Sequence, residues 1–211
     1  MINIENSYPK IFKTLKKTNF SNKKIFIFTI TFQWINFLVI IASILLRRGN
    51  RVNFYYNTFY DQDKDFFSSR FSNSVLKKID RHFKKNKNLN FNTFNIFDKK
   101  IIKYNLAPSE IKLIKDQTKR DLMRITKDIS NNIHKKNKLL YLDRLNKNKK
   151  TFIFFNNLFK SNKPDVFIVP NCNWYEWAIA YNVAKSYKIK CICIESFKGI
   201  DHKNFVIDKN S

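Results

Sequence analysis

Glycine is almost missing from this chain. Gly49 and Gly199 are the only two among 211 residues, whereas a phosphate-cradling loop needs several within a few positions. P-loop nucleotidases are thereby excluded, and a dinucleotide-binding reading is weakened. Cysteine is scarce too. Cys172, Cys191 and Cys193 are odd in number and lack C-x-x-C spacing, which argues against a disulfide framework and against a zinc site. No metal and no cofactor are expected, and a reducing cytoplasm is the simplest compartment. Long unbroken apolar runs are also lacking. The stretch from Ile25 to Leu46 approaches the length of a membrane span, but Thr29, Thr31, Gln33, Asn36 and Ser43 interrupt it. A strand followed by a buried helix fits it better. No small-residue cleavage site follows the run, so a signal peptide is not expected.

Acidic residues are few: 16 against 41 Lys and Arg, for a formal net charge of +25 and a pI near 10.0. Such a balance invites a polyanionic partner. The lysines, however, run from Lys10 to Lys209 instead of gathering in a patch, and Asn, Ile and Phe are inflated along with them. A nucleic-acid footprint must cluster, so the basic surface reads as diffuse. Hydrophobic residues make up 44% and aromatics 16%, enough to bury a core, and disorder requires the opposite.

Along the chain, residues 1–24 read as a basic amino-terminal arm and 25–211 as one α/β domain. Ile25 to Thr31 alternates and is predicted as a strand. Trp34, Phe37, Leu38, Ile41 and Leu45 then share one helical face from Gln33 to Arg48. Gly49 suits a left-handed C-cap after that helix, and Val52 to Tyr56 reads as a second strand. Together they make a βαβ unit and imply a parallel sheet. A helix is expected from Phe67 to Phe83, followed by a polar loop or insertion near residues 84–105. Ile111, Ile114, Thr118, Leu122, Ile125, Ile129 and Ile133 predict an amphipathic helix with Glu110 in its first turn. A further helical stripe spans Leu139 to Lys160, with a short strand over "TFIFF" as the alternative. A second βαβ unit comprises a strand at Val166–Val169, a helix from Trp174 to Tyr187 and a strand at Cys191–Glu195. The fold class predicted is a Rossmann-like three-layer domain with a mostly parallel sheet.

Ligands of open parallel sheets bind outside the carboxyl ends of the strands. Asn171, Glu176 and Glu195 fall near that rim and are the candidate substrate-binding residues. Asn173 has the look of an N-cap, with Glu176 three residues on as in a capping box. Trp174, Trp177, Ala178 and Tyr181 follow core spacing.

Pro164 to Glu195, "PDVFIVPNCNWYEWAIAYNVAKSYKIKCICIE", resembles the Pro-Asp, apolar run, Asn-Gly, aromatic, Glu segment of bacterial surface-polysaccharide glycosyltransferases with two Rossmann-like domains (the GT-B type). "WINFLVIIASILLRRGNRVNFYY" is similar to their first helix, Arg-Gly turn and second strand. "LAPSEIKLIKDQTKRDLMRI" and "YLDRLNKNKK" resemble the helical middle of the same amino-terminal domain. Cys172 stands where that family usually has glycine, so a left-handed backbone there would be strained. The resemblance implies the acceptor-side half of a metal-independent transferase. A glycan or lipid-linked acceptor binds this half, and a nucleotide-sugar donor binds a further carboxy-terminal domain that this chain is expected to lack. The location implied is cytoplasmic, peripheral to the inner membrane through its anionic lipids. A general base must take the acceptor proton. His202, with Asp201 to orient it, is the catalytic candidate. A second reading is a basic RNA-binding structural protein such as an organellar ribosomal component. Its expected lysine–aromatic interleaving is missing, which makes nucleic acid the weaker partner.

Overall fold

The computed structural model describes residues 21–30, 32–57, 91–95, 104–196 and 203–207. The helix expected from Phe67 to Phe83 and the basic arm before residue 21 lie outside them. The strands are β1 (Lys24–Thr29), β2 (Arg51–Tyr56), β3 (Phe91–Asn95), β4 (Val166–Val169), β5 (Lys190–Ser196) and β6 (Lys203–Ile207). They form one sheet in the order β3-β2-β1-β4-β5-β6. The first five are parallel, and β6 closes one edge antiparallel to β5. The helices are α1 (Phe32–Arg47), α2 (Pro108–Thr126), the single turn α3 (Ile133–Lys136), α4 (Lys138–Ser161) and α5 (Tyr175–Ser186).

Strand alternation divides the core between the two faces of this sheet. Ile25, Ile27, Val52, Phe54, Val166, Ile168, Ile192 and Ile194 meet Phe37, Leu38, Ile41 and Leu45 of α1. Phe26, Phe28, Tyr55, Phe167, Val169, Cys191 and Cys193 meet α2, α4 and α5 through Ile114, Phe152, Phe155, Phe159 and Trp177. Because β1 is covered on both sides, Ile25 to Thr29 is buried without a break, as central parallel strands are. The result is a Rossmann-like three-layer α/β domain. The cysteines are reduced, and both strand thiols face the same layer.

Local signals explain most boundaries. Gly49 takes φ +76° after α1. Its N–H donates to Leu46 O at 2.9 Å, and that of Asn50 to Leu45 O at 3.2 Å. At α2, Glu110 accepts the Ala107 N–H at 2.7 Å, the backward half of a capping box. Two expectations need correction. The region read as a polar loop contains β3, which pairs with β2 from Val52↔Phe91 to Tyr56↔Asn95. The stripe through Ile129 and Ile133 does not continue α2. Lys127 turns left-handed at φ 55°, and Asp128 accepts the Ser130 N–H at 2.7 Å, which holds its carboxyl below the usual range. Ile129 is consequently 85% exposed. A further strand that no sequence signal indicated, β6, follows β5. No helix among the described residues is long and apolar enough to cross a membrane.

Candidate functional site

The strand order reverses direction at β1. From there the chain winds outward through β2 and β3 with α1 on one face, then crosses to β4 and winds outward through β5 with α5 on the other. The junction of β1 and β4 is therefore a topological switch point, where crossovers leave in opposite directions and open a crevice. The turn after β4 carries Asn171, Cys172, Asn173 and Trp174 to its lip.

Asn171 is half-buried, and its Oδ1 accepts the Asn173 N–H at 2.8 Å. This Asx turn shapes the loop. The Asn171 Nδ2 has no partner among the described residues. Cys172 is half-buried and is not one of the residues with positive φ, so the strain expected at this position is not there. It lies instead at Tyr175, the first residue of α5, with φ 50°.

The expected capping box is also absent. Trp174, not Asn173, is the N-cap, and its side chain makes no cap bond. The acceptor comes from another helix: Asp121 Oδ1, on α2, receives the Tyr175 N–H at 2.9 Å. A carboxylate at a helix N-terminus is favoured by the exposed amide groups and the helix dipole. Gln117 braces the loop, donating to Asp121 Oδ1 at 2.8 Å and to Asn173 O at 3.2 Å. Asn148 Nδ2 reaches Asp121 Oδ2 at 3.0 Å.

Glu176 is fully buried. Its Oε2 accepts from Arg144 Nη2 of α4 at 3.0 Å, and the same nitrogen lies 3.5 Å from Asp121 Oδ2. The Arg144 guanidinium also sits over the Tyr175 ring, 4.9 Å from its centroid. Two buried carboxylates thus share one buried cation. Burial raises the Asp121 carboxyl above its ordinary range and the Glu176 charge adds to this, against the pull of Arg144, Asn148 and Gln117. Burial also pushes the Tyr175 hydroxyl up to about 12. Asp121 therefore locks the α5 start, and its oxygens are occupied by Gln117, Tyr175, Asn148 and Arg144.

The exposed element is Trp174. Sequence spacing suggested a core residue, but its ring is 38% exposed. Arg124 stacks on it with Cζ 3.4 Å from the ring centroid, a cation–π contact that fixes the indole at the lip. Of the residues singled out from sequence, Asn171 and Glu176 belong to adjoining parts of this construction, one on the lip and one beneath it. Glu195 lies on β5 in register with Asn204. His202 and Asp201 lie outside the described residues. Asp121, Arg144, Gln117 and Arg124 were missed. The signal for Asp121 and Arg144 was a charge set on an otherwise apolar helical stripe.

Asp121→Asn gives a pH test of this lock. Asparagine keeps an oxygen for the Tyr175 N–H and removes the second carboxylate. A raised folded-state pKa means that the native state favours the protonated acid. Its contribution is complete below about pH 3.9, the unfolded value, and is lost as pH rises through the folded one. Wild-type stability relative to Asp121→Asn should therefore fall from pH 4 toward neutrality in urea titrations. A difference independent of pH would contradict the assignment.

Among the described residues, no group of His, Cys, Asp and Glu could hold a metal ion. Comparison with known protein families and with curated proteins found no match.

Proposed function

We propose that this chain is the acceptor-binding amino-terminal domain of a nucleotide-sugar glycosyltransferase acting in surface-polysaccharide synthesis on the cytoplasmic side of a membrane. The observation that carries the reading is the pair on the turn after β4, an Asn171 Nδ2 without a partner among the described residues and the half-exposed Trp174. A saccharide offers hydroxyls to the first and a C–H face to the second. The rigid support beneath suits recognition, since a loop held in one geometry loses less entropy on binding. In the transfer, an acceptor hydroxyl oxygen attacks the anomeric carbon while the nucleoside diphosphate leaves with the bonding electrons. The hydroxyl proton passes to a general base, for which His202 oriented by Asp201 is the candidate. Glu195, at the carboxyl end of β5, is proposed to bind another acceptor hydroxyl. The donor would be held by a second Rossmann-like domain.

The test is saturation-transfer NMR of the chain with a panel of mono- to tetrasaccharides. At least one should bind, and Trp174→Ala should weaken it about tenfold, equivalent to about 1.4 kcal/mol. Asn171→Ala should weaken it less and leave stability within about 0.5 kcal/mol. No saccharide binding, together with tight structured-RNA binding at physiological salt, would favour the ribosomal reading instead.

A further inference from the structure

Two exposed arginines border the turn after β4. Arg120 and Arg124 stand one turn apart on α2, so they share a face of that helix. Each is tied to the turn by a different contact. Arg120 Nε and Nη2 both donate to Gln117 Oε1, at 3.1 and 2.7 Å. The same Gln117 amide reaches Asn173 O through its Nε2 at 3.2 Å. Arg124 places its Cζ 3.4 Å from the Trp174 ring centroid. The donors of a guanidinium lie in its own plane, so stacking on the indole leaves them for another acceptor. No carboxylate among the described residues is within ion-pair distance of either guanidinium. Asp121, which lies between them in sequence, is buried. Its oxygens are taken by Gln117, Tyr175, Asn148 and Arg144. Two like charges one turn apart repel, yet separate contacts hold both at the lip.

Building on the saccharide reading of this turn, we infer that the sugar it binds is acidic, with a carboxylate or phosphate held by Arg120 and Arg124 while the sugar ring lies against Trp174. A guanidinium pairs with carboxylates and phosphates through two parallel N–H bonds. Such charge-assisted bonds are about twice as strong as bonds to neutral acceptors, so a neutral sugar leaves most of what this pair offers unused. The basic character of the rest of the chain does not supply the same preference. Attraction between exposed charges is screened beyond about 8 Å at physiological ionic strength, whereas these two arginines are fastened to the turn itself. The effect to look for is therefore a ratio of affinities between sugars that differ only in their acidic group.

NMR titration of the isotope-labelled full chain at physiological ionic strength tests it, with the Trp174 indole and the arginine Nε–H signals as reporters. The ligands are glucose, galactose and mannose, each as its methyl glycoside, its uronic acid and its terminal phosphate ester. At least one acidic form should bind about tenfold or more tightly than its neutral counterpart, and the better of the two acids identifies the anion. Arg120→Gln with Arg124→Gln should bring that ratio below about twofold. Arginines that only position Gln117 and Trp174 would weaken neutral and acidic sugars together. The ratio would then stay unchanged in the double variant, and the acidic assignment would be overturned. Replacing Lys160, Lys163 and Lys188 by glutamine, all exposed and outside the turn, should leave the ratio within about twofold. An equal fall in that variant would trace the preference to overall charge and overturn the assignment as well. Neutral sugars binding as tightly as acidic ones would overturn it while leaving the saccharide reading intact. Binding of no sugar, here or in the oligosaccharide panel, would overturn both.

Discussion

Replacing Arg144 by methionine is expected to lower the unfolding free energy by about 3–5 kcal/mol, a large share of the stability of an ordinary domain. Methionine approximates the length of the side chain and leaves little void. What it removes is the cation between Asp121 and Glu176, at 3.5 and 3.0 Å. The Glu176 carboxylate is 0% exposed and that of Asp121 2%, so neither can turn to water. Two buried carboxylates would then lose the cation they share. The deficit should narrow on acidification as Asp121, whose carboxyl burial already raises, takes up a proton. Adding Asp121→Asn and Glu176→Gln should recover at least half of it at neutral pH. Urea unfolding of the wild type, the single variant and the triple variant measures this. A cost below about 1 kcal/mol for Arg144→Met would mean that the cluster is not held by its charge.

Phe155→Ala is expected to cost about as much, 3–5 kcal/mol, by a different mechanism. Phe155 is 0% exposed and lies at the centre of an aromatic cluster. Its ring centroid is 4.7 Å from Phe28, 5.4 Å from Phe159 and 5.4 Å from Phe167. These partners sit on two strands and on α4 itself, so the gap cannot close by moving one side chain. The cost combines lost transfer energy with a residual cavity. Unlike Arg144→Met, the loss should be insensitive to pH between 5 and 8, and this separates the two mechanisms in one set of melts. A loss under about 1.5 kcal/mol would show that the helix relaxes onto the sheet.

Those two positions also mark how far the sequence could be read. The aromatic stripe of α4 is periodic, so Phe155 was legible as core, and four of the six strands and the Gly49 cap were legible by the same means. β3 escaped because Phe91 and Phe94 are three positions apart, which breaks strand alternation, and the asparagines around them look like loop. The end of α2 escaped because Ile129 and Ile133 keep helical spacing past the point where Lys127 leaves the helix. The lock escaped for a deeper reason. Asp121, Arg144 and Glu176 lie on three different helices, so only tertiary packing brings them together. Glu176 had a sound local alternative in the capping box. Trp174 was misjudged for the same reason, since helical spacing cannot register that Tyr175 begins α5 with a left-handed residue.

The place of β1 at the middle of the sheet has a consequence for how the protein is made. Its flank toward β4 is completed only when Val166, Phe167 and Ile168 arrive beside Ile25, Phe26 and Ile27. Lys24 and Asp165, which join the two strands, are 141 positions apart. At a ribosome speed of about 5–20 residues per second, that separation lasts about 7 to 28 seconds of translation. Throughout it β1 can hold β2, but its other hydrogen-bonding edge stays open, and the face bearing Phe26 and Phe28 awaits Phe155 and Phe159 of α4, which ends shortly before β4 begins. The nascent chain therefore presents a chaperone with one persistent target, the β1 edge, and release from that chaperone is timed by the emergence of β4.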